Sequence, residues 1–351
     1  MPEFSGQRRV LEEVTADTGS TNASLWFDRY FNARLDTEAK RTLMEQTAKL
    51  GIPEEYRTFY DRYRAAIDEQ DGVQWAIADV QGRLIVGLGD KGVAETGITL
   101  HHTYGVPYIP GSALKGLASA YAHLRLDGAE WRKGGIDHTI LFGTTDTSGY
   151  ITFFDALYIP GSAEQNRPLA RDVVTGHHPE YYVGNEPKPP ADWDSPNPVP
   201  FLTATGRYLI AVAGPERWAQ TALMILGMAL RDLGIGAKTA AGYGRMRLLD
   251  TYGRPILLPD EVGNADIASG GAPAEPPQVM SFRKEIAQAQ KQTLANLVPR
   301  LEQLAIDPTY KRMLAEVLIA RVRELKMNTE GKKWYEQLLR LREGNTGDSN
   351  G

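Results

Sequence analysis

The stretch GIGAKTAAGYG, Gly234–Gly244, decides how this chain is read. Four glycines in eleven residues make a loop whose backbone can take positive φ and approach a partner closely. Gly234, Gly236, Gly242 and Gly244 set its bends, Lys238 and Thr239 sit in its middle, and Tyr243 precedes its last glycine. Upstream, the apolar spacing of Ala219, Ala222, Leu223, Leu226, Ala229, Leu230 and Leu233 predicts a helix over Trp218–Leu233. Met224 and Met228 lie off that stripe, as on a helix buried on several sides. Downstream, Tyr243–Leu249 alternates apolar and basic residues and reads as a half-buried strand. Helix, cationic glycine loop and strand together read as a phosphate cradle.

Composition narrows the function. At 351 residues the chain can bury a substantial core in one large or two smaller domains. It has no cysteine, which excludes disulfides, thiolate metal sites and a cysteine nucleophile. No apolar run spans a bilayer and no secretory leader pattern opens the chain, so a cytoplasmic protein without a membrane partner is expected. The sequon Asn22-Ala23-Ser24 then carries no meaning. A net charge of −5 argues against coating nucleic acid, yet leaves room for a local basic groove. From Met280 onward cations outnumber carboxylates, the reverse of the body.

An aromatic cluster over Leu25–Phe31 (Trp26, Phe27, Tyr30, Phe31) is expected to pack on the body. Helices follow over Thr37–Leu50 and Pro53–Glu69, with Pro53 suited to a first turn. Strands are predicted over Val73–Asp79 and Arg83–Gly89. The stretch YGVPYIPGSALKG, Tyr104–Gly116, turns at Pro110-Gly111-Ser112, and Ser112 is placed as N-cap of a helix from Ala113 to Leu126. Lys115 then opposes the helix dipole, by roughly 0.3–1 kcal/mol. It either points into water or meets an anion bound at the helix N-terminus. Gly149–Ile159 reads as a strand. Its end, Tyr158–Ala163, repeats Tyr108–Ala113 letter for letter, but Glu164-Gln165-Asn166 breaks the helical pattern, so the match is read as coincidence.

Residues 167–203 are long, Pro-rich and irregular, and many aromatics favour an ordered excursion. A strand is expected over Thr205–Ala213. The linker lies over residues 263–279. Beyond it the stripes of Leu294–Leu304, Met313–Leu325 and Trp334–Leu341 predict a small helical, basic tail. The expected division is an N-terminal helical segment 1–72, a core 73–262 with an insertion 160–203, the linker, and the tail 280–344.

Three chemistries suggest themselves. A Walker A loop fails in register, because Ala237 and Asp232 stand where glycines are needed, and in context, because it must run from strand to helix. The pairs His101-His102 and His177-His178 could hold a metal with Asp155 or Asp172. In extended backbone each pair offers one ligand readily, so one histidine hydrogen-bonded inside and one exposed is the preferred reading. Asp172, Asp192 and Asp194 read as turn formers before acid–base groups. No spacing marks a catalytic set, a metal site or a cofactor.

Beyond the glycine loop, an ordered series of short stretches stands out: GLG at Gly87–Gly89, ETGI at Glu95–Ile98, YGVPYIPGSALKG and LFG at Leu141–Gly143. It continues through ITFFDA at Ile151–Ala156, DVVTGHHPEYY at Asp172–Tyr182 and PADWDSPNPVPFLT at Pro190–Thr203. In that order, closing on the loop, the series resembles the RAMP superfamily of CRISPR proteins, and among them the sixth, terminal backbone subunit of type III-B (Cmr) effector complexes. The resemblance covers about residues 80–250 and implies an α+β, modified ferredoxin-like (RRM-like) β-α-β-β-α-β core. Its six elements would be strand 83–89, helix 113–126, strands near 151–159 and 205–213, helix 216–233 and strand 243–249. It further implies a non-catalytic subunit in antiviral defence that holds the 3′ part of the guide RNA. Gly111, Ser112 and Lys115 would lie beside Gly234, Gly236, Lys238, Thr239, Gly242, Tyr243 and Gly244 to bind the RNA backbone. Other RAMP backbone subunits are the expected protein partners, and target RNA is a further candidate. The alternative is a metal-independent RAMP endoribonuclease processing guide precursors, with His101 or His102 as base and Tyr104 or Lys238 assisting. The tail lies outside the resemblance, and partner docking, RNA binding and capping of the body all stay open for it.

Overall fold

The computed structural model describes residues 14–16, 19–29, 37–90, 94, 96–176, 189, 191, 197–259, 261, 277–306, 308–329 and 331–343. Two compact units divide the chain. The first holds Met1–Tyr121, Phe153–Ala213 and Leu223–Leu258, and the second Ala122–Thr152, Gly214–Ala222 and Pro259–Gly351.

In the first unit, α1 (Ala23–Asp28) starts at Asn22, whose side-chain oxygen accepts the Ser24 and Leu25 amides. Trp26 and Phe27 pack with Leu43 and Met44 of α2 (Thr37–Ala48) and with Leu169 and Leu202. Tyr30 and Phe31 lie outside the described residues. Pro53 is the N-cap of α3 (Glu54–Glu69).

The sheet is antiparallel and runs β2 (Tyr108–Ile109), β4 (Ala156–Tyr158), β7 (Arg207–Ala213), β1 (Val73–Val80), β8 (Met246–Leu249), with β3 (Thr152–Phe153) beside β7. Ile77 of β1 pairs with Leu209 on one side and Leu249 on the other. Helix α4 (Gly111–Arg125) buries Leu114, Ala118 and Ala122 at spacing four. Helix α6 (Glu216–Asp232) buries Trp218, Ile225, Leu226 and Met228 among others, as a helix covered on several sides does. The α+β class with an antiparallel sheet is as the sequence indicated.

Four boundaries differ from expectation, each through a contact distant in sequence. Residues 83–89 make no strand. Both edges of β1 are already taken, so this stretch forms single bridges from Leu84 to Ala204 and from Ile85 to Gly236. Ser112 is not a cap, because α4 begins at Gly111 and the Gly111 amide donates to Asp155 Oδ1 at 2.7 Å. That same aspartate interrupts the expected strand 149–159, leaving β3 and β4 as its two halves. Residues 167–203 are partly regular: β5 (Leu169–Gly176) and β6 (Asn197–Ala204) form a two-stranded ribbon in register from Leu169↔Ala204 to Gly176↔Asn197. Pro198 and Pro200 share the alternation of Ala204, whose amide and carbonyl bond Leu84 on the outer edge of β6, so their missing N–H groups fall on that edge.

The second unit contains α5 (Ile136–Phe142), α7 (Pro277–Gln288), α8 (Leu294–Gln303), α9 (Pro308–Glu324) and α10 (Lys333–Glu343). A buried ion pair joins Arg283 Nη1 of α7 to Asp137 Oδ1 of α5 at 2.7 Å, with the guanidinium 5.5 Å from the Trp218 ring. Burial pushes the Asp137 carboxyl up and Arg283 opposes that shift. A cavity of about 530 Å³ lies within this unit, between Ile136–Tyr150 and helices α7 and α9. Among the described residues no helix is long and apolar enough to cross a membrane.

Candidate nucleic-acid interface

The glycine loop separates into a bonded frame, with Gly234 and Gly244 buried and Gly236 exposed, and an exposed crown. Gly234, Gly236 and Gly244 all have positive φ (74°, 88° and 73°) and form the frame. A Cβ on Gly236 would overlap the Ile85 carbonyl, and one on Gly244 the Ile235 carbonyl. The frame's amides are engaged. Ile235 N–H donates to Gly244 O, Gly244 N–H to Arg83 O and Ala237 N–H to Ile85 O, at 2.8–2.9 Å. Gly236 is therefore needed for close backbone packing on Ile85, and Gly234 and Gly244 for packing within the loop itself, whatever binds outside.

The crown is Lys238–Gly242, a 3-10 turn over Thr239–Ala241. Lys238 is exposed and left-handed (φ 57°, ψ 33°), a conformation that costs a non-glycine residue about 1–2 kcal/mol. Gly242 (φ 93°) is exposed with no atom within 4 Å of a would-be Cβ. Strain at an exposed cation on a rigid frame is a pattern that functional loops show. Tyr243 ties the crown to the ribbon: its hydroxyl donates to Asp172 Oδ2 at 2.9 Å and its ring meets Phe201 edge-on at 6.1 Å. Burial pushes the Tyr243 hydroxyl pKa up, and the bond to Asp172 adds to it.

At the other segment, a Cβ on Gly111 would overlap the Phe153 carbonyl, so this glycine is fixed by strand contact. Asp155 already occupies the anion position on its amide. Ser112 is exposed and Lys115 half-buried in the helix body. Among the described residues no hydrogen bond or ion pair links Gly111–Gly116 to Gly234–Gly244. One segment is anchored on residues 153–155 and the other on residues 83–86.

His101 is half-buried among Phe59, Tyr104 and Tyr108, with ring centroids 5.5, 4.9 and 6.1 Å away. Among the described residues its Nδ1 is buried without a hydrogen-bond partner, and desolvation pushes its pKa down. His102 is exposed, and its carbonyl accepts from Asn22 Nδ2 at 3.1 Å. One in and one out is as expected, but His102 sits in a turn closed on the His101 carbonyl, and the expected hydrogen bond is missing from the inner ring's Nδ1. His177, His178, Asp192, Asp194 and Glu95 lie outside the described residues, as does nearly all of the linker 263–279. Among the described residues no group of three or more His, Asp or Glu side chains could hold a metal.

The sequence reading missed Arg83. Its carbonyl receives the Gly244 amide, and its guanidinium donates to Thr203 Oγ1 at 3.2 Å and to the Arg171 carbonyl at 3.1 Å. These partners lie 120 and 88 residues away along the chain, so no local signal marks them.

A family model described as the RAMP superfamily matches residues 78–247, from the last residues of β1 into β8. The CRISPR system Cmr subunit Cmr6 of Pyrococcus furiosus is 32% identical, the match covering 62% of this chain and 80% of that protein. This chain belongs to the RAMP superfamily. Within it the chain is Cmr6-like, and both glycine stretches fall inside the matched span. Cmr6 of Saccharolobus solfataricus is 23% identical, with 62% of this chain and 75% of that protein covered. A chain in the cryo-EM structure of the Type III-B Cmr-beta bound to cognate target RNA is 20% identical at TM-score 0.45, covering 60% of this chain and 70% of that one.

Proposed function

We propose that this RAMP protein is a non-catalytic, guide-RNA-binding structural subunit of a type III-B (Cmr) interference complex, working in the cytoplasm. In that role it holds the 3′ part of the guide at the end of the backbone filament and stacks on other RAMP subunits. The observation that carries this reading is the match to Cmr6 over 80% of that protein's length. The strand order β4–β7–β1–β8, with α4 between β1 and β4 and α6 between β7 and β8, supports a modified ferredoxin-like core.

At the site, the exposed crown Lys238–Gly242 supplies a cation and loop amides for backbone phosphates. Ser112 and Lys115 supply a second contact, with Gly111 as its fixed base. Gly234, Gly236 and Gly244 act by shaping the loop, and Tyr243 by holding it to the ribbon. Recognition of this kind reads the backbone and leaves the base edges unread.

The test is assembly on guide RNA across a salt titration. The double variant Lys115→Ala/Lys238→Ala should weaken binding and flatten the log–log salt slope by roughly 0.7 per lost phosphate contact. An unchanged slope sinks the cradle. Incubation with labelled repeat RNA in EDTA checks the non-catalytic assignment. Specific cleavage that disappears on changing His101 and His102 would replace it with an endoribonuclease.

A further inference from the structure

Arg83 is the cation most directly built into the base of the glycine loop. Its main chain is bonded to Gly244, and its guanidinium is steadied by Thr203 and the Arg171 carbonyl. Its counter-ion is loose: Arg83 Nε lies 3.8 Å from Asp172 Oδ2, beyond hydrogen-bond distance, and the two side chains keep 40% and 32% of their exposure. The same Asp172 oxygen accepts the Tyr243 hydroxyl at 2.9 Å. One carboxylate thus stands against two donors, a guanidinium and a phenol, and the phenol belongs to the residue that follows the Lys238–Gly242 crown.

We propose that Arg83 is a further phosphate-binding residue of this site and that Asp172 is its internal counter-ion, competing with the phosphodiester. The ligand class is a single-stranded polyanionic backbone. A guanidinium suits this because its fixed fork of donors matches phosphate oxygens, and two of its donors are already set by neutral acceptors. The proposal rests on the reading of the glycine loop as an RNA site and adds the residue that sets its charge. It also fixes opposite signs for two members of one network. Removing the arginine must weaken binding, and removing the aspartate charge must strengthen it. A network that merely braces the loop would lose binding with either change.

The experiment uses the full chain and a fluorescein-labelled, single-stranded oligoribonucleotide of mixed sequence, about 20 nucleotides long, followed by anisotropy at several KCl concentrations. Lys238→Ala and Arg83→Gln should each lower the salt slope by roughly 0.7. Arg83→Lys should keep the wild-type slope, and it keeps the inference testable should the glutamine variant fold poorly. Asp172→Asn should tighten binding by about threefold at low salt with the slope unchanged. Weaker binding by Asp172→Asn, or a wild-type slope in Arg83→Gln, overturns the inference. If Lys238→Ala alone lowers the slope, the loop reading stands and only Arg83's role falls. If the wild-type chain fails to bind, or Lys238→Ala keeps its slope, the loop reading fails and takes this inference with it.

Discussion

The hexapeptide Tyr-Ile-Pro-Gly-Ser-Ala occurs twice, and the two copies fold differently. Tyr108–Ala113 leaves β2 and opens α4, whereas Tyr158–Ala163 leaves β4 and turns back on itself. In both, the glycine amide meets a side-chain oxygen: Asp155 Oδ1 for Gly111 at 2.7 Å and Asn166 Oδ1 for Gly161 at 2.9 Å. The first acceptor lies 44 residues away and the second five. Downstream, Leu114, Ala118 and Ala122 give the first copy a face to bury. The second runs into Gln165 and Asn166, both left-handed at φ 53° and 57°. Six identical letters thus fix local turn chemistry, while the residues downstream of them decide between helix and turn.

The two copies should part most clearly when one methyl group is added to each glycine. Gly111→Ala drives a Cβ into the Phe153 carbonyl, a backbone atom that cannot yield without disturbing the strand. The expected loss is about 3 kcal/mol, the upper end of overpacking costs. Gly161 has φ +81° and open space around a would-be Cβ, so Gly161→Ala should cost only about 1 kcal/mol of backbone strain. Urea midpoints of the two variants measure the difference. Equal shifts would show that the two glycines are held alike.

Next in size is the pair of acceptors. Asp155→Ala removes an ionised cap from the first turn of a 15-residue helix, at about 1–1.5 kcal/mol. Asn166→Ala removes a neutral, exposed acceptor and should cost about 0.5 kcal/mol. Asp155→Asn, which keeps the oxygen and loses the charge, should fall between them. The ranking reverses if Asp155 chiefly repels an anion from the α4 N-terminus, and Asp155→Asn would then stabilise the protein once phosphate is added.

What was legible in the sequence divides along the same line, between local and distant causes. Periodicity alone located β1, β7, α6 and the tail helices α8, α9 and α10, because their apolar spacing is written within each element, but not α7, which begins inside the expected linker. Composition located the glycine loop but not the separate duties of its glycines. Gly236 and Gly244 are required by the Ile85 and Ile235 carbonyls, one of them about 150 residues upstream. The ribbon β5–β6 was hidden by its prolines, which speak against a strand until Pro198 and Pro200 are seen to turn their nitrogens away from β5. Asp172 and Arg83 were invisible as partners of Tyr243 and Thr203, since their pairing exists only in the folded chain.

The smallest effect concerns the first letter of the repeat, and it tests whether that residue matters for its ring or its hydroxyl. The Tyr158 hydroxyl accepts the Ala163 amide at 3.0 Å, closing the turn of its own copy, and its ring is fully buried. Tyr108 is half-buried, and among the described residues its hydroxyl has no hydrogen-bond partner. Tyr158→Phe should therefore cost about 0.5–1 kcal/mol, the net worth of one hydrogen bond, while Tyr108→Phe should leave the urea midpoint unchanged. Because the ring is kept in both variants, packing cancels and the difference reports the hydroxyl alone. A neutral Tyr158→Phe would mean that the Gly161 amide and the Ser162 hydroxyl, which donates to the Ile159 carbonyl at 2.7 Å, hold that turn without it.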